Sequence, residues 1–138
     1  MKTERLFIIA FIYCLLLVAC DPYNASFISN QTDNDIIFIM KLDSAKLKGY
    51  SASKKDFLSL DDSTVSIISI DTVSLTGTYK LKSKSSLLVE SSNNVSPIYK
   101  FNYLEIINGN DTTVYGSEQE IETAFKHIKG SRYELIIK

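Results

Sequence analysis

From Ser26 to the C-terminus this chain is a succession of short apolar runs, each closed by a cluster of Asn, Asp, Ser or Gly. That pattern constrains the fold more than any other feature. Runs of this length, rich in Ile, Val, Tyr and Phe and often alternating with polar residues, read as strands, because a helix needs a longer stretch with a 3.6-residue repeat. Ser26–Asn30 is expected to be a first strand, and Gln31–Asp35 a turn, since Asn and Asp tolerate left-handed backbone and bond their own main chain. Ile36–Leu42 is near-continuously apolar and reads as a central strand. Asp43–Lys55 is polar, contains Gly49 and reads as a long loop, followed by a short edge strand over Phe57–Leu60. Val65–Ile70 alternates, with Thr72–Thr76 as its continuation past a kink. Tyr79–Lys82, a turn at Ser83–Ser85 and a return over Ser86–Glu90 form the next pair.

Ser91–Pro97 reads as a polar loop. Pro97 should precede a strand rather than sit inside one, having no N–H for a ladder. Ile98–Ile107 is the longest expected strand and pairs with Thr112–Tyr115. The connection Asn108-Gly109-Asn110-Asp111 carries Asn-Gly, a strong hairpin signal because both residues accept positive φ. Ser117–Gly130 breaks the β pattern. Ser117 and Glu120 have capping-box spacing, and Ile121, Ala124, Phe125 and Ile128 follow as one helical stripe. Lys126, His127 and Lys129 suit the C-terminal end of a helix dipole, and Gly130 suits its stop. Tyr133–Ile137 closes the chain as a strand.

The expected class is mainly β: an antiparallel two-sheet sandwich resembling immunoglobulin-type folds, with one short helix near the C-terminus. The alternative is an α+β arrangement with that helix packed on one sheet. No repeat or second compositional regime divides residues 26–138, which read as one domain.

The N-terminus is different in kind. Lys2 and Arg5 precede an uncharged, almost wholly apolar run from Leu6 to Ala19, which ends at Cys20-Asp21-Pro22. A basic start, a short apolar run and a small residue before a cut have the anatomy of an export signal. The alternative is a membrane-spanning anchor, but a spanning helix needs about 20 apolar residues. Leu17-Val18-Ala19-Cys20 resembles the lipobox of bacterial lipoproteins. The resemblance implies removal of residues 1–19, lipidation of the Cys20 sulfur and a short tether over residues 20–25. It also implies a place in the bacterial cell envelope, outside the cytoplasm, with the membrane as a partner through the lipid. The outer membrane or cell surface is favoured over the inner membrane. Asp21 resembles the inner-membrane retention signal of enteric bacteria, a rule that does not hold in all diderm bacteria. The chain as a whole looks like small lipid-anchored β-sandwich lipoproteins of uncharacterised role, from which no functional residue carries over.

Cleavage would leave 13 basic and 15 acidic side chains, net −2, once Lys2, Arg5 and Glu4 are gone. A mixed, weakly acidic surface argues against a nucleic-acid partner, which calls for a clustered basic face. Cys14 would leave with the signal and Cys20 would carry lipid, so the folded part has no cysteine for a disulfide, zinc site or thiol nucleophile. The sole histidine, His127, falls on the polar side of the expected helix and reads as a surface residue. The carboxylate pairs Asp33/Asp35, Asp61/Asp62 and Glu118/Glu120 have the composition of glycosidase pairs, but all lie where turns or a helix start explain them. Asp33-Asn34-Asp35 and Asn108–Asp111 are oxygen-rich without the spacing of a calcium loop. No catalytic set, metal site or cofactor is therefore expected.

Two candidate surface features remain. Tyr99, Phe101 and Tyr103 share one strand face and would form a ligand-contacting aromatic row if exposed, or core if not. Ser44, Ser63, Thr72 and Thr112 each follow an Asp and precede a small or aliphatic residue or Thr. That pattern resembles the acceptor motif of an O-glycosylation system acting on exported proteins; Asp, Ser and Thr are also ordinary turn residues. The expected function is a non-catalytic envelope module that binds a protein or a glycan. A structural adhesin or fimbria-like subunit that swaps Ser26–Asn30 or Tyr133–Lys138, and a carboxylate-dependent hydrolase, are the alternatives.

Overall fold

The computed structural model describes residues 23–93 and 98–138; the signal segment, Cys20, Asp21-Pro22 and Pro97 lie outside the described residues. Among the described residues the order is β1 (Asn24–Asn30), β2 (Ile36–Leu42), α1 (Lys54–Leu58), β3 (Val65–Asp71), β4 (Thr76–Leu81), β5 (Ser85–Ser92), β6 (Phe101–Asn108), β7 (Asp111–Tyr115), α2 (Glu118–Ala124), β8 (Lys126–Lys129) and β9 (Arg132–Ile137). The strands form a four-stranded sheet, β5-β1-β9-β8, and a five-stranded sheet, β3-β4-β2-β6-β7. The fold is mainly β and sandwich-like, with two short helices. None of its described helices is long and apolar enough to cross a membrane.

One core joins the sheets. Ile28, Leu87 and Leu135 enter it from the four-stranded sheet, and Phe38, Met40, Tyr79, Leu104 and Ile106 from the other. The alternation of β2 shows why: Ile36, Phe38, Met40 and Leu42 are buried while Ile37 and Ile39 are only half-buried. The sandwich has two distinguishable ends. At the distal end, buried Asn30 donates to the carbonyls of Asn34 (2.8 Å), Lys82 (3.0 Å) and Leu81 (3.4 Å) and accepts from Thr32 N and Oγ1. This side chain ties the end of β1 to the end of β4. At the entry end, where the chain enters β1, Ala25 N bonds Ser131 O, Leu42 N bonds Leu75 O and Asp43 N bonds Lys100 O.

Several expectations need correction. The sandwich is not wholly antiparallel, because β1 and β9 pair in parallel, Ala25 opposite Arg132 through Asn30 opposite Ile137. The β8–β9 hairpin turns at the entry end, so β9 must run in the same direction as β1. β1 begins at Asn24, inside the expected tether. Thr72–Thr76 does not continue β3; most of it is a turn held by Asp71, whose carboxylate accepts from Val73 N (2.8 Å) and Ser74 Oγ (2.7 Å).

Phe57–Leu60 is not an edge strand. Ser53 and Asp56 form a capping box that starts α1, and α1 buries Leu58 completely. The late helix is real but shorter than expected. The Ser117–Glu120 capping box forms, and Ile121 and Phe125 are buried. The backbone then turns extended at Phe125, and residues 126–129 pair with β9 as β8. Ile128, the last residue of the expected stripe, is 49% exposed. β8 covers the edge of β9 that faces away from β1. Gly130, at φ 59°, turns this hairpin instead of ending a helix. The Asn-Gly turn is offset by one residue. Asn108 pairs with Asp111, so Gly109 (φ 62°) and Asn110 are the central pair, and Gly at the first central position is the type II′ signature.

Candidate functional site

The aromatic row does not share a face. Leu42 lies opposite Phe101 and Lys41 opposite Tyr103, so Asn102 is an extra, bulged residue. The bulge turns Phe101 into the core together with Leu104. Tyr103 is left on the outer face, donating to Glu105 Oε2 at 2.6 Å. Hydrogen bonding to that carboxylate raises the Tyr103 pKa. Tyr99 precedes the strand, with Lys46 Nζ 4.8 Å from its ring centroid.

Tyr99 belongs to a cluster at the entry end that the sequence did not suggest. Lys46 also pairs with Glu118 at the start of α2. Glu90 is buried on β5, its Oε2 accepting from Tyr99 N (3.0 Å) and Lys100 N (3.1 Å) while its Oε1 has no partner among the described residues. Burial raises its pKa, against the lowering effect of the two amides and of Lys100 and Lys46. Glu90 faces inward because Val89 is bulged: Ser26 lies opposite Glu90 and Phe27 opposite Leu88. The ammonium of Lys100 lies 5.5 Å from the Tyr50 ring and 5.8 Å from the Phe57 ring, which meet edge to face. A hollow of about 270 Å³ beside them is lined by Lys48, Tyr50, Lys54, Phe57 and Leu75, among others.

Five of the six paired carboxylates, all but Asp61, make local hydrogen bonds or ion pairs. Asp33 pairs with Lys84 (3.0 Å) and Asp35 with Lys80 (3.1 Å). The Asp35 pKa is lowered, first by the Ser83 amide and then by Lys80. Asp62 accepts from Thr64 N and Oγ1, and the hydroxyl bond leads in lowering its pKa. Glu118 holds Lys46, and Glu120 caps α2. His127 is exposed, its Nε2 2.5 Å from Gly130 O and its ring against Tyr133. No metal-holding cluster of His, Cys, Asp or Glu occurs among the described residues. Ser44, Ser63, Thr72 and Thr112 are all exposed, and in three of the four motifs the Asp caps its own turn.

A groove lies at the end of β7, beside α2 and the start of β8. It measures about 580 Å³, with Tyr115 and Ala124 facing it, Val114 at its rim, and Ser117, Thr123 and Lys126 around it. Burial raises the Tyr115 pKa. A second hollow of about 280 Å³ continues past Tyr115 towards Ile136 and Asn108. β7 is an outer strand, and its edge is undefended. Ile68 and Ile128 are bulged in β3 and β8, as Val89 is in β5, and β8 adds two lysines; β7 has neither a bulge nor a lysine. Asn108 and Asp111 flank a two-residue turn and so form a hydrogen-bonded pair, after which bonded and non-bonded pairs alternate. The N–H and C=O groups of Thr112 and Val114 therefore point away from β6, and Val114 lines the groove.

No protein-family profile and no curated protein matches this sequence, and no solved structure matches its fold.

Proposed function

We propose that this protein is a lipid-anchored, non-catalytic interaction module of the bacterial cell envelope that takes an extended segment of a partner protein along β7. The single observation that carries the reading is the outward-facing backbone of Thr112 and Val114, with Val114 lining a groove, on an outer strand with no bulge or lysine. An extended segment would add its main chain to that edge and place alternate side chains against Tyr115 and Ala124. The lipobox-like Leu17–Cys20 supports the anchor, with the outer membrane or cell surface as its location. Exposure of Ser44, Ser63, Thr72 and Thr112 is compatible with their use as O-glycosylation acceptors. We also place the sandwich in the immunoglobulin-like class, on its two packed sheets and despite the parallel β1–β9 pair. The fimbria-like alternative receives less support: β1 lies between β5 and β9, and β9 between β1 and β8, so neither terminal strand is an edge to exchange.

Val114→Pro tests the reading. It removes an N–H that faces away from β6, a substitution edge strands accept. A photocrosslinker at Thr112 in native envelopes is expected to give discrete protein adducts that Val114→Pro abolishes without lowering thermal stability. Adducts unchanged by Val114→Pro, or no adduct at all, would refute strand addition at β7. Mass spectrometry of the mature N-terminus tests the anchor separately, and a free Cys20 thiol would remove it.

A further inference from the structure

The two ends of the sandwich differ in character. Among the described residues eight large apolar side chains are exposed. Four of them, Tyr23 (54%), Tyr50 (48%), Val73 (90%) and Ile128 (49%), lie at or near the entry end. The register places them there. Tyr23 precedes Asn24, which pairs with Ser92, and Val73 lies in the turn between Asp71 and Thr76. Tyr50 stands by Lys100, and Ile128 adjoins the β8–β9 turn that bonds Ala25. The other four, Ile67, Ile68, Leu88 and Val114, lie along the strands of the flanks. The distal end has none; it is made of the Gln31–Asp35 turn with its ion pairs and the Asn108–Asp111 hairpin.

Basic residues accompany the apolar ones. Lys48 and Lys54 are exposed around the hollow beside Tyr50, and Lys100 lies over the Tyr50 and Phe57 rings. Lys48 and Lys54 belong to one segment between β2 and β3, and the fold brings Lys100, just before β6, to them. The nearby carboxylates of Asp43, Asp56 and Asp71 accept from the backbone amides of Ala45, Ser53 and Val73.

We infer that the entry end is a bilayer-contacting face, with Val73 and Tyr50 entering the headgroup region and Lys48, Lys54 and Lys100 meeting anionic headgroups. This rests on the lipid-anchor reading and deepens it. Cys20 and Tyr23 are three residues apart, so their Cα atoms are separated by at most about 11 Å. The headgroup zone of one leaflet is itself about 5–8 Å thick. A sulfur whose acyl chains are in the bilayer therefore keeps the start of this end within a few ångströms of the headgroup surface. Tyrosines with an apolar ring and a polar tip, and lysines with long apolar stems, are the side chains that suit that layer. A fully exposed valine at the tip of a turn gains most from burial there. The β7 groove opens on a flank, so an envelope partner can reach it while this end is occupied.

The test uses the processed, membrane-inserted protein in vesicles of phosphatidylethanolamine and phosphatidylglycerol. One sample carries an environment-sensitive fluorophore at Val73→Cys and another at Asn110→Cys, an exposed site in the distal hairpin. The acylated Cys20 does not react with the label. The probe at 73 should report an apolar environment and be quenched by quenchers placed on lipids, whereas the probe at 110 should stay aqueous. Lys48→Gln with Lys54→Gln should lower the docked-to-undocked ratio about fivefold per lysine. Pure phosphatidylcholine vesicles should lower it too without releasing the protein. Lipid on Cys20 by mass spectrometry, together with a probe at 73 as aqueous as that at 110, would overturn the docking face and leave the anchor standing. Absence of lipid on Cys20 would overturn both.

Discussion

Gly77 and Tyr79 provide the sharpest test of the packing. They lie on the same face of β4, two residues apart, and the Tyr79 ring folds back over the glycine. From there its hydroxyl donates to Leu58 O at 2.7 Å and its ring stacks on Phe38 at 5.0 Å. Complete burial pushes the Tyr79 pKa up to about 12. A Cβ at Gly77 would stand 1.9 Å from the Tyr79 hydroxyl oxygen and 2.3 Å from Cζ. Relief needs a withdrawal of about 1.5 Å to reach the 3.4 Å at which ordinary contact begins. Two effects of Gly77→Ala then compete. Restricting the backbone of a strand glycine favours alanine by about 0.5–1 kcal/mol. Against it stand overpacking at about 1–3 kcal/mol, a buried carbonyl left unpaired at about 1–3 kcal/mol and a weakened aromatic pair at about 0.5–1.5 kcal/mol. The clash wins, and Gly77→Ala should destabilise by about 3–5 kcal/mol. Tyr79→Ala alone should cost a similar amount, about 3–5 kcal/mol. In the Tyr79→Ala background the glycine has nothing to avoid, so adding Gly77→Ala should be neutral or stabilising by about 0.5–1 kcal/mol. Urea unfolding followed by far-UV circular dichroism suits a chain without tryptophan. A Gly77→Ala protein within 1 kcal/mol of wild type, or one equally damaging with and without the ring, would refute the reasoning.

Asn30→Ala removes a buried side chain bonded to three carbonyls and to Thr32, and should cost about 2–4 kcal/mol in the same assay. A loss under 0.5 kcal/mol would mean that water replaces it. Burial raises the Glu90 pKa above its unfolded value of 4.5, so its contribution is fully present below that pH and is lost as pH rises through the folded value. Glu90→Gln keeps an acceptor for the Tyr99 and Lys100 amides, and should gain stability over wild type as pH rises from about 4 to 8. A constant wild-type-to-variant difference across that range would contradict it. The lowered Asp35, Asp56, Asp62 and Asp71 act oppositely and lower down: their stabilisation is present above 3.8 and lost as pH falls through their folded values. Ser117→Ala should cost about 1 kcal/mol and speed amide exchange at Glu120 and Ile121, and unchanged exchange there would count against the capping box.

Much of the fold was legible because its signals are local. The bounds of β2 follow from a run of apolar residues between turn residues, and Ile36–Leu42 is the observed strand. The capping box at Ser117 reads correctly because it needs only two side chains and one helical turn. Ser53-Lys54-Lys55-Asp56 carries the same signal in weaker form, with Asp in place of the usual Glu or Gln. What remained illegible depends on partners distant in sequence. Whether Lys126–Lys129 continues a helix or becomes a strand is decided by the open edge of β9, not by its own residues. The direction of β9 is set by where the β8–β9 hairpin turns, which no alternation pattern reports.

Bulges mark the boundary for the candidate site. Period-two reading predicts a face only while the ladder is regular, and one extra residue reverses it. Asn102 sends Phe101 inward and leaves Tyr103 outside, so three aromatics at alternate positions end in three different surroundings. Val89 does the same for Glu90, turning a carboxylate that looks like a surface residue into a buried one that orders the chain at Tyr99 and Lys100. Both bulges lie towards the entry end, where Lys46, Tyr50 and Phe57 arrive from the segment between β2 and β3. The regular strand β7 shows the converse. Its alternation is intact from Asp111 to Tyr115, so the backbone groups it presents outward follow from the hairpin alone. The edge proposed to take a partner is thus fixed by the hairpin register, in which the one-residue offset of the Asn-Gly turn decides which groups face out. The bulged entry end, with its buried Glu90 and its lysines gathered from separate segments, is the part that only the folded chain discloses.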